Sequence, residues 1–172
     1  MRPSREVATS NGQTYFVTSN SVSRKAFFRN ARWADLFVQV LYSYRPERFL
    51  LHGFVLMPDH FHLLITPAES LEKAVQLVKG GFSFQARRQL QWAGNIWISG
   101  FSDHRIRDCK DLQIHLNYMA DNPVKAKLVS GSKEYLYGSA NGRFQLDEVP
   151  QGLKPGSLGA VDGAAEAAPL QN

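Results

Sequence analysis

Two histidines one residue apart, His60 and His62, open an apolar stretch that reads HFHLLIT over residues 60–66. Alternation along a β-strand sends every second side chain to the same face, so both imidazoles would point one way and Phe61 the other. Neutral imidazole is a common ligand of divalent cations. The pair therefore serves either as metal ligands or as structural side chains on a partly polar strand face.

A phenol and an amide, Tyr118 and Asn122, form a second group that could do chemistry. On a helix they are four residues apart and share one face, and the basic Lys125 and Lys127 follow them. If this helix packs beside the histidine strand, the two imidazoles and Asn122 could hold a divalent cation, and Tyr118 could reach a phosphate bound to it. Spacing alone does not combine them, because an Asn before a proline is commonly a cap or turn residue.

The elements that must position these residues follow from hydrophobic periodicity and from Pro and Gly punctuation. Strands are predicted at residues 13–19, 48–57 and 60–66 and within 96–106, and helices at 33–45, at 67–90 with an interruption at the Gly80–Gly81 pair, and at 111–122, stopped by Pro123. The order β-α-β-β-α-β predicts an α+β fold, a ferredoxin-like or RRM-like plait. Its central antiparallel sheet would carry helices mainly on one face, leave the other face free, and place the histidine strand in or beside the centre.

Composition and length fit one domain over residues 1–150, followed by a flexible low-complexity tail over residues 151–172. The apolar share of 44% is that of a globular protein. The chain has no apolar run long enough to span a membrane, and its first residues lack the apolar centre of a signal peptide. With Cys109 as the single cysteine, an internal disulfide is excluded. These features favour a reducing, cytoplasmic location.

Charge points to a polyanionic partner. The net charge is +5, and the 150 residues before the tail carry +6, because the tail holds one lysine against two carboxylates. Nucleic acid is the commonest partner of a basic folded domain. The alternative is that a modest positive charge only aids solubility.

Four segments in order carry a family resemblance: QTYFVT at residues 13–18, MPDHFHLL at 57–64, FSDHRIR at 101–107 and YMADNPVKAKLV at 118–129. Together they resemble the single-tyrosine transposases of the histidine–hydrophobe–histidine (HUH) endonuclease superfamily, and within it the REP-associated tyrosine transposases. The resemblance covers about residues 10–140. The chain departs from the family at Asp59 and Lys127, where Asn and Gly are common.

The resemblance implies an enzyme that cleaves and rejoins single-stranded DNA at repeated palindromic hairpins. Tyr118 would attack a phosphodiester, leaving a 5′-phosphotyrosine link and a free 3′-hydroxyl, so that rejoining needs no ATP. His60, His62 and Asn122 would hold the cation. Imidazole suits manganese or zinc better than magnesium, whereas magnesium is usual in the family, so the predicted cofactor is Mg²⁺ or Mn²⁺. His115, one turn before Tyr118, could assist proton transfer, although a surface histidine is the simpler account.

DNA binding would rest on basic side chains for phosphates and on aromatic side chains for unstacked bases. The candidate phosphate-binding residues are Lys79, Arg87, Arg88, Arg105, Arg107, Lys125 and Lys127. Of these, Arg105 and Arg107 lie in a family-like segment. The resemblance also favours a monomer over a homodimer and predicts no membrane association.

Two other functions compete with this interpretation. The chain could be a non-catalytic module, derived from a transposase, that binds DNA or RNA hairpins, since the plait fold hosts such binders. It could also be a zinc hydrolase built on the histidine pair. That enzyme needs a third firm ligand, for which His52 and His104 are available without a recognisable ligand spacing.

Overall fold

The computed structural model describes residues 8, 9 and 11–156, and within that range four strands and three α-helices form the fold. The elements are β1 (Tyr15–Asn20), α1 (Ala31–Tyr44), β2 (Phe49–Met57), β3 (His60–Pro67), α2 (Leu71–Gln89), β4 (Ser102–Arg105) and α3 (Cys109–Lys125). The predicted α+β order is confirmed. Within this range, no helix combines the length and the apolar character needed to cross a bilayer.

The sheet has the strand order β2-β3-β1-β4, and all three neighbouring pairs are antiparallel. Both β1 and β2 run opposite to β3, which lies between them, and α1 connects them. This is the split βαβ arrangement of a ferredoxin-like plait. The prediction that the histidine strand is central is therefore confirmed: His62 has Thr18 of β1 on one side and Val55 of β2 on the other.

One face of the sheet is covered by α1 and α2. Alternate residues of β3, Phe61, Leu63 and Ile65, are fully buried on this face. They pack in one cluster with side chains such as Phe37 of α1 and Phe82 of α2, whose ring centroids are 5.5 Å apart. This core is the larger of the two and fixes β3 as a rigid strand.

The opposite face is covered by α3. Leu112 and Met119 of α3 are buried there in a second, smaller cluster with Val55 of β2 and Leu64 of β3. The expectation of a free second face is therefore wrong in detail, because the apolar stripe of α3 must itself be buried. The histidines share this face with Leu64, so α3 and the histidine pair lie on the same side of the sheet.

The predicted break at Gly80 and Gly81 is wrong, since α2 runs through both without interruption. A Cβ atom built on Gly81 would come within 2.9 Å of Cε2 of Tyr44, at the end of α1. The glycine therefore permits close approach of α1 and α2. Burial of Val78 and Phe82 on either side supplies the stabilisation that holds the helix together there.

The third helix is also longer than predicted, since it begins at Cys109 and contains Pro123. The Leu128 amide donates to the Pro123 carbonyl at 2.9 Å, and Lys127 adopts a left-handed φ of 58°. This is a helix-ending loop that glycine favours, which fits the family's common Gly at this position. The fourth strand, predicted within residues 96–106, is confined to Ser102–Arg105.

The predicted tail starts at residue 151, and the structure describes its first residues, 151–156. Leu153 ends a short 3-10 helix, Gln151–Leu153, and is largely buried against the second cluster. The rest of the tail, residues 157–172, lies outside the described residues. The domain boundary and the character of the tail therefore stay predictions.

Gly53 of β2 sets how closely α3 approaches the sheet. A Cβ atom at Gly53 would lie 3.0 Å from Cε of Met119 and 3.1 Å from Cδ2 of Leu116. Gly53→Val should therefore push α3 outward and lower the free energy of unfolding by about 1–3 kcal/mol. Urea unfolding measures this change. Gly80→Ala, at an exposed helical glycine with nothing within 4 Å of its Cβ position, should instead be neutral or stabilising.

Equal free energies of unfolding for Gly53→Val and Gly80→Ala would contradict the conclusion that the missing side chain at Gly53 lets α3 pack closely on β2.

Candidate functional site

The paired histidines have their Nδ1 atoms fixed by oxygen atoms on neighbouring groups. His62 Nδ1 lies 2.7 Å from Thr18 Oγ1 of β1, and His60 Nδ1 lies 2.7 Å from Asp59 Oδ1. An ionised carboxylate only accepts, so His60 Nδ1 donates to Asp59 and leaves the Nε2 lone pair free for a cation. Arg24 Nε in turn donates to the other Asp59 oxygen at 2.9 Å.

Both imidazoles are kept neutral by their surroundings. Burial lowers the pKa of His62 from 6.5 to about 3, with smaller contributions from His60 and Arg24. Burial also lowers the pKa of His60, against the opposing effect of Asp59. A neutral imidazole is the form that ligates metals. The pair is therefore ready to bind a cation over the whole neutral range.

Acidification should destabilise the metal-free protein through His62. An unfolded chain takes up a proton at the ordinary pKa of 6.5, whereas folded His62 resists protonation until its pKa of about 3. The unfolded state therefore binds more protons between these values, and stability falls as pH falls through them, by at most about 1.4 kcal/mol per pH unit from this group. Urea unfolding between pH 7 and 4 should show a shallower dependence for His62→Asn. Parallel pH dependences for the two proteins would refute this assignment.

Tyr118 and Asn122 reach the histidine pair from α3, on the face predicted from their spacing. The Asn122 Nδ2 atom lies 3.2 Å from His62 Nε2, and the Tyr118 ring centroid lies 5.3 Å from that of His62 in an edge-on arrangement. The Tyr118 side chain is 45% exposed, although the residue belongs to a helix that is packed on the sheet. The phenol is therefore close to the imidazoles and open to a large substrate.

Phe16 of β1 forms the floor of the site. Its ring stacks on His62 with 5.1 Å between centroids, and it meets the Tyr118 ring edge-on at 5.8 Å. On its other side, the centroid of His115 is 4.7 Å away. This aromatic contact limits the orientations of His62 and of the nucleophile candidate together. Sequence reasoning missed Phe16 and Thr18, because their contacts depend on the pairing of β1 with β3.

The donor set fits a divalent cation. Asn122 Nδ2 and His62 Nε2 are 3.2 Å apart, close to the separation of about 3 Å expected for two neighbouring ligands of one ion. A half-turn of the Asn122 amide places Oδ1 where Nδ2 lies, since the two orientations are close in shape. His60 lies beside them, with 4.9 Å between the imidazole centroids. Two imidazole nitrogens and an amide oxygen leave further coordination positions for a substrate.

The basic candidates fall into two groups in the structure. Arg105, Arg107, Lys125 and Lys127 are exposed, and they belong to β4, α3 and the segments that flank α3. Lys79, Arg87 and Arg88 instead belong to α2, on the opposite face of the sheet. The Lys79 ammonium group donates to the carbonyls of Ile98 and Gly100, at 2.9 and 2.6 Å. Arg107, Lys125 and Lys127 lie beside or at the end of α3, on the side of the sheet that carries the histidines. Arg105 is instead paired with Tyr15, which is buried on the α1–α2 face, so Arg105 belongs with the second group on the opposite side.

The extra histidines considered for a zinc hydrolase have partners elsewhere. His52 Nδ1 lies 3.0 Å from the Asp147 carbonyl, and its Nε2 lies 2.8 Å from Thr66 Oγ1. His104 Nε2 contacts the carboxylate of Asp111. No contact joins either histidine to the pair in the described residues. On α3, the amide in contact with the pair is that of Asn122.

Comparison with known proteins gives a consistent set of relatives. A REP-associated tyrosine transposase of Escherichia coli K12 is 28% identical over 152 residues, which are 84% of this chain and 83% of that protein. A protein of Haemophilus influenzae, given the same name provisionally, is 32% identical over 108 residues, or 56% of this chain. That match spans only 61% of the Haemophilus protein. No protein-family model matches the chain.

The fold has a counterpart among solved structures. A REP-associated tyrosine transposase bound to a REP hairpin superposes with a TM-score of 0.66, over 83% of this chain and 88% of that one. The two sequences are 23% identical, so this likeness concerns the fold. The solved REP-associated tyrosine transposase therefore shares the α+β plait that carries the histidine pair in this chain.

Proposed function

We propose that this chain cleaves and rejoins single-stranded DNA beside a hairpin, with Tyr118 as the nucleophile, and its similarity to REP-associated tyrosine transposases in sequence and in fold supports this proposal. The relatives support a DNA-processing role. The specific activity, its residues and its metal are proposed on the geometry of the chain itself.

One observation carries the proposal. A phenol that is 45% exposed lies with its ring 5.3 Å from the ring of His62, on the same helix face as an amide that contacts His62 Nε2. A tyrosine with a purely structural role would bury its ring and give its hydroxyl a partner, as Tyr135 does by donating to the Leu56 carbonyl. Tyr118 instead presents its hydroxyl where a phosphate could approach.

The reaction consists of two transesterifications. In the first, Tyr118 Oη loses its proton and attacks phosphorus, so that an Oη–P bond forms and the bond from phosphorus to the 3′-oxygen breaks. The 3′-oxygen leaves and gains a proton, which produces a 5′-phosphotyrosine and a free 3′-hydroxyl. In the second, a 3′-hydroxyl attacks the same phosphorus and releases Tyr118. Neither step consumes ATP, since one phosphodiester bond replaces another.

The residues that would hold a cation are His60, His62 and Asn122. A divalent ion bound there supplies a Lewis acid that polarises the phosphate and favours the phenolate. Thr18 and Asp59 fix the imidazole orientations through Nδ1, and burial keeps both rings neutral. We propose Mg²⁺ or Mn²⁺ as the ion, because the open positions must accept phosphate and water oxygens.

The substrate we propose is a DNA hairpin with a single-stranded flank, and the solved relative bound to a REP hairpin supports the hairpin part of this proposal. Arg107, Lys125 and Lys127, which lie on the histidine side of the sheet, would contact its phosphates. Ile114, one turn before Tyr118 on α3, is 55% exposed and could support an unstacked base beside the nucleophile. We propose that one chain carries a complete site, since both imidazoles, the amide and the phenol come from it.

The direct test is an end-labelled single-stranded hairpin incubated with the protein and Mn²⁺. A protein–DNA adduct that survives denaturation, and that chelation of the metal prevents, is the expected result. The label must remain with the protein when it lies on the 5′-phosphate side of the break. Tight binding of the hairpin with no adduct under any of these conditions would favour the non-catalytic binding module instead.

A further inference from the structure

A second cluster of metal-ligating side chains lies on the other side of Phe16 from the histidine pair. It consists of His104 of β4 and of Asp111 and His115, which are four residues apart on α3. The His104 and His115 rings are nearly parallel, at 20°, with centroids 4.6 Å apart. His104 lies on β4, across β1 from the histidine strand β3, so this cluster is distinct from the proposed catalytic site.

The three side chains converge on one carboxylate. His104 Nε2 lies 2.9 and 3.1 Å from the two Asp111 oxygens. His115 Nδ1 lies 3.3 Å from Asp111 Oδ1 and donates to the Asp111 backbone carbonyl at 2.8 Å, which leaves His115 Nε2 as its open ligand nitrogen. One nitrogen of each imidazole and one carboxylate oxygen all lie within 4.8 Å of one another. Ligands of a tetrahedral Zn²⁺ ion lie about 3.3 Å apart, so binding requires the three side chains to draw together and the His104 ring to turn a lone pair, in place of its N–H, toward the ion. The His104 side chain is 41% exposed and can make this movement.

The Asp111 carboxylate is held in place by groups other than the imidazoles. The residue is only 7% exposed, and the Arg107 amide donates to Oδ2 at 3.0 Å, which leaves Oδ1 able to face an ion. A cavity of about 270 Å³, lined by Phe16, Thr18 and residues 102–104 together with His115, opens beside the cluster and gives an ion a path from solvent. The site therefore has a fixed carboxylate, two imidazoles and access.

A purely structural account of the cluster is available. The two imidazoles and Arg107 could simply hold a buried carboxylate by hydrogen bonds, since Arg107 Nε also lies 3.4 Å from Asp111 Oδ2. The Arg107 side chain, however, is 68% exposed and can turn into solvent when an ion enters. Two imidazoles stacked 4.6 Å apart beside the same carboxylate also form a metal-ligand set, which hydrogen bonding to the carboxylate alone does not require.

We propose that His104, Asp111 and His115 bind a transition-metal dication of the Zn²⁺ class, in a site separate from the histidine pair. Two imidazoles and one carboxylate form a ligand set that favours Zn²⁺, Co²⁺ or Ni²⁺ over Mg²⁺. The ion would tie α3 to β4 one turn before Tyr118. It would act as a structural clamp on the helix that carries the nucleophile, and not as a participant in phosphoryl transfer.

Co²⁺ titration tests the site without reference to DNA cleavage, because ligation by protein side chains produces visible absorption. In the double variant His60→Ala with His62→Ala, the proposed catalytic site is removed, and one Co²⁺ per chain with visible absorption is expected. Adding Asp111→Asn, which keeps the shape and removes the charge, should weaken this binding by about tenfold or more. No Co²⁺ binding by the double variant, or equal binding after Asp111→Asn, would overturn the proposal.

A single substitution provides the same test in a chain that keeps the proposed catalytic site. His104→Ala, at a half-exposed position on an edge strand, should lower the visible absorption at saturating Co²⁺. The decrease should equal the Co²⁺ absorption that the His60→Ala, His62→Ala double variant shows. It should also lower the melting-temperature increase that Zn²⁺ produces. An unchanged absorption and an unchanged Zn²⁺ response would count against the site. Loss of the DNA adduct in any variant bears on the proposed function and not on this result.

Discussion

Tyr118→Phe is expected to abolish the covalent protein–DNA adduct while leaving hairpin binding intact. The substitution removes one oxygen atom from a ring that is 45% exposed, so the helix and its contacts with Phe16 and His62 should persist. Without Oη there is no atom to attack phosphorus, and removal of a nucleophile costs at least about 10³-fold in rate. The measurement is the yield of denaturation-resistant adduct with a labelled hairpin, beside its binding constant.

Tyr42→Phe is the matched control for this prediction. Tyr42 lies on α1, on the far face of the sheet, and its hydroxyl donates to the Gln145 carbonyl at 2.8 Å. Its loss should cost a single exposed hydrogen bond and leave the adduct yield unchanged. An adduct that forms in Tyr118→Phe at the wild-type rate would show that another group attacks the DNA.

The second large effect concerns the paired imidazoles. Replacing His60 and His62 together with Ala should eliminate metal-dependent cleavage, by about 10³-fold or more, because the Nε2 ligands and the ordering of the cation disappear. Hairpin affinity should change little, since the exposed arginines and lysines remain. Adduct yield as a function of Mn²⁺ concentration, with a parallel binding assay, gives both quantities.

Asp59→Asn provides a graded comparison for the histidine variants. The carboxylate orients His60 through Nδ1, and an amide oxygen can still accept that hydrogen bond at lower strength. Cation affinity should therefore fall by about tenfold, with cleavage restored at high Mn²⁺. Restoration of cleavage by Mn²⁺ in the double alanine variant as well would argue against the imidazoles as ligands.

Much of the candidate site follows from local patterns. Strand alternation places His60 and His62 on one face, and helical periodicity places Tyr118 beside Asn122; both hold in the structure. The close approach of β3 and α3 does not follow from either pattern. It depends on α3 covering the second face of the sheet, through Met119 and the missing side chain at Gly53, and these contacts join residues far apart in sequence.

The errors in the predicted helix boundaries have a common physical origin, because tertiary packing overrides the local Gly and Pro signals. Gly81 reads as a helix break, yet it allows Tyr44 to pack closely while α2 continues. Pro123 reads as a stop, yet it is buried within the last turns of α3. The cluster at Asp111 escapes detection in the same way, because His104 precedes a turn and meets Asp111 only through the packing of α3 on β4.

The chain order of the elements has a consequence for synthesis. All four strands, and with them both imidazoles, precede α3 along the polypeptide. A nascent chain on the ribosome can therefore assemble the complete sheet before the segment that bears the phenol has emerged. A product truncated by a nonsense codon after β4 would keep the histidine strand and lack the phenol on which the proposed cleavage depends.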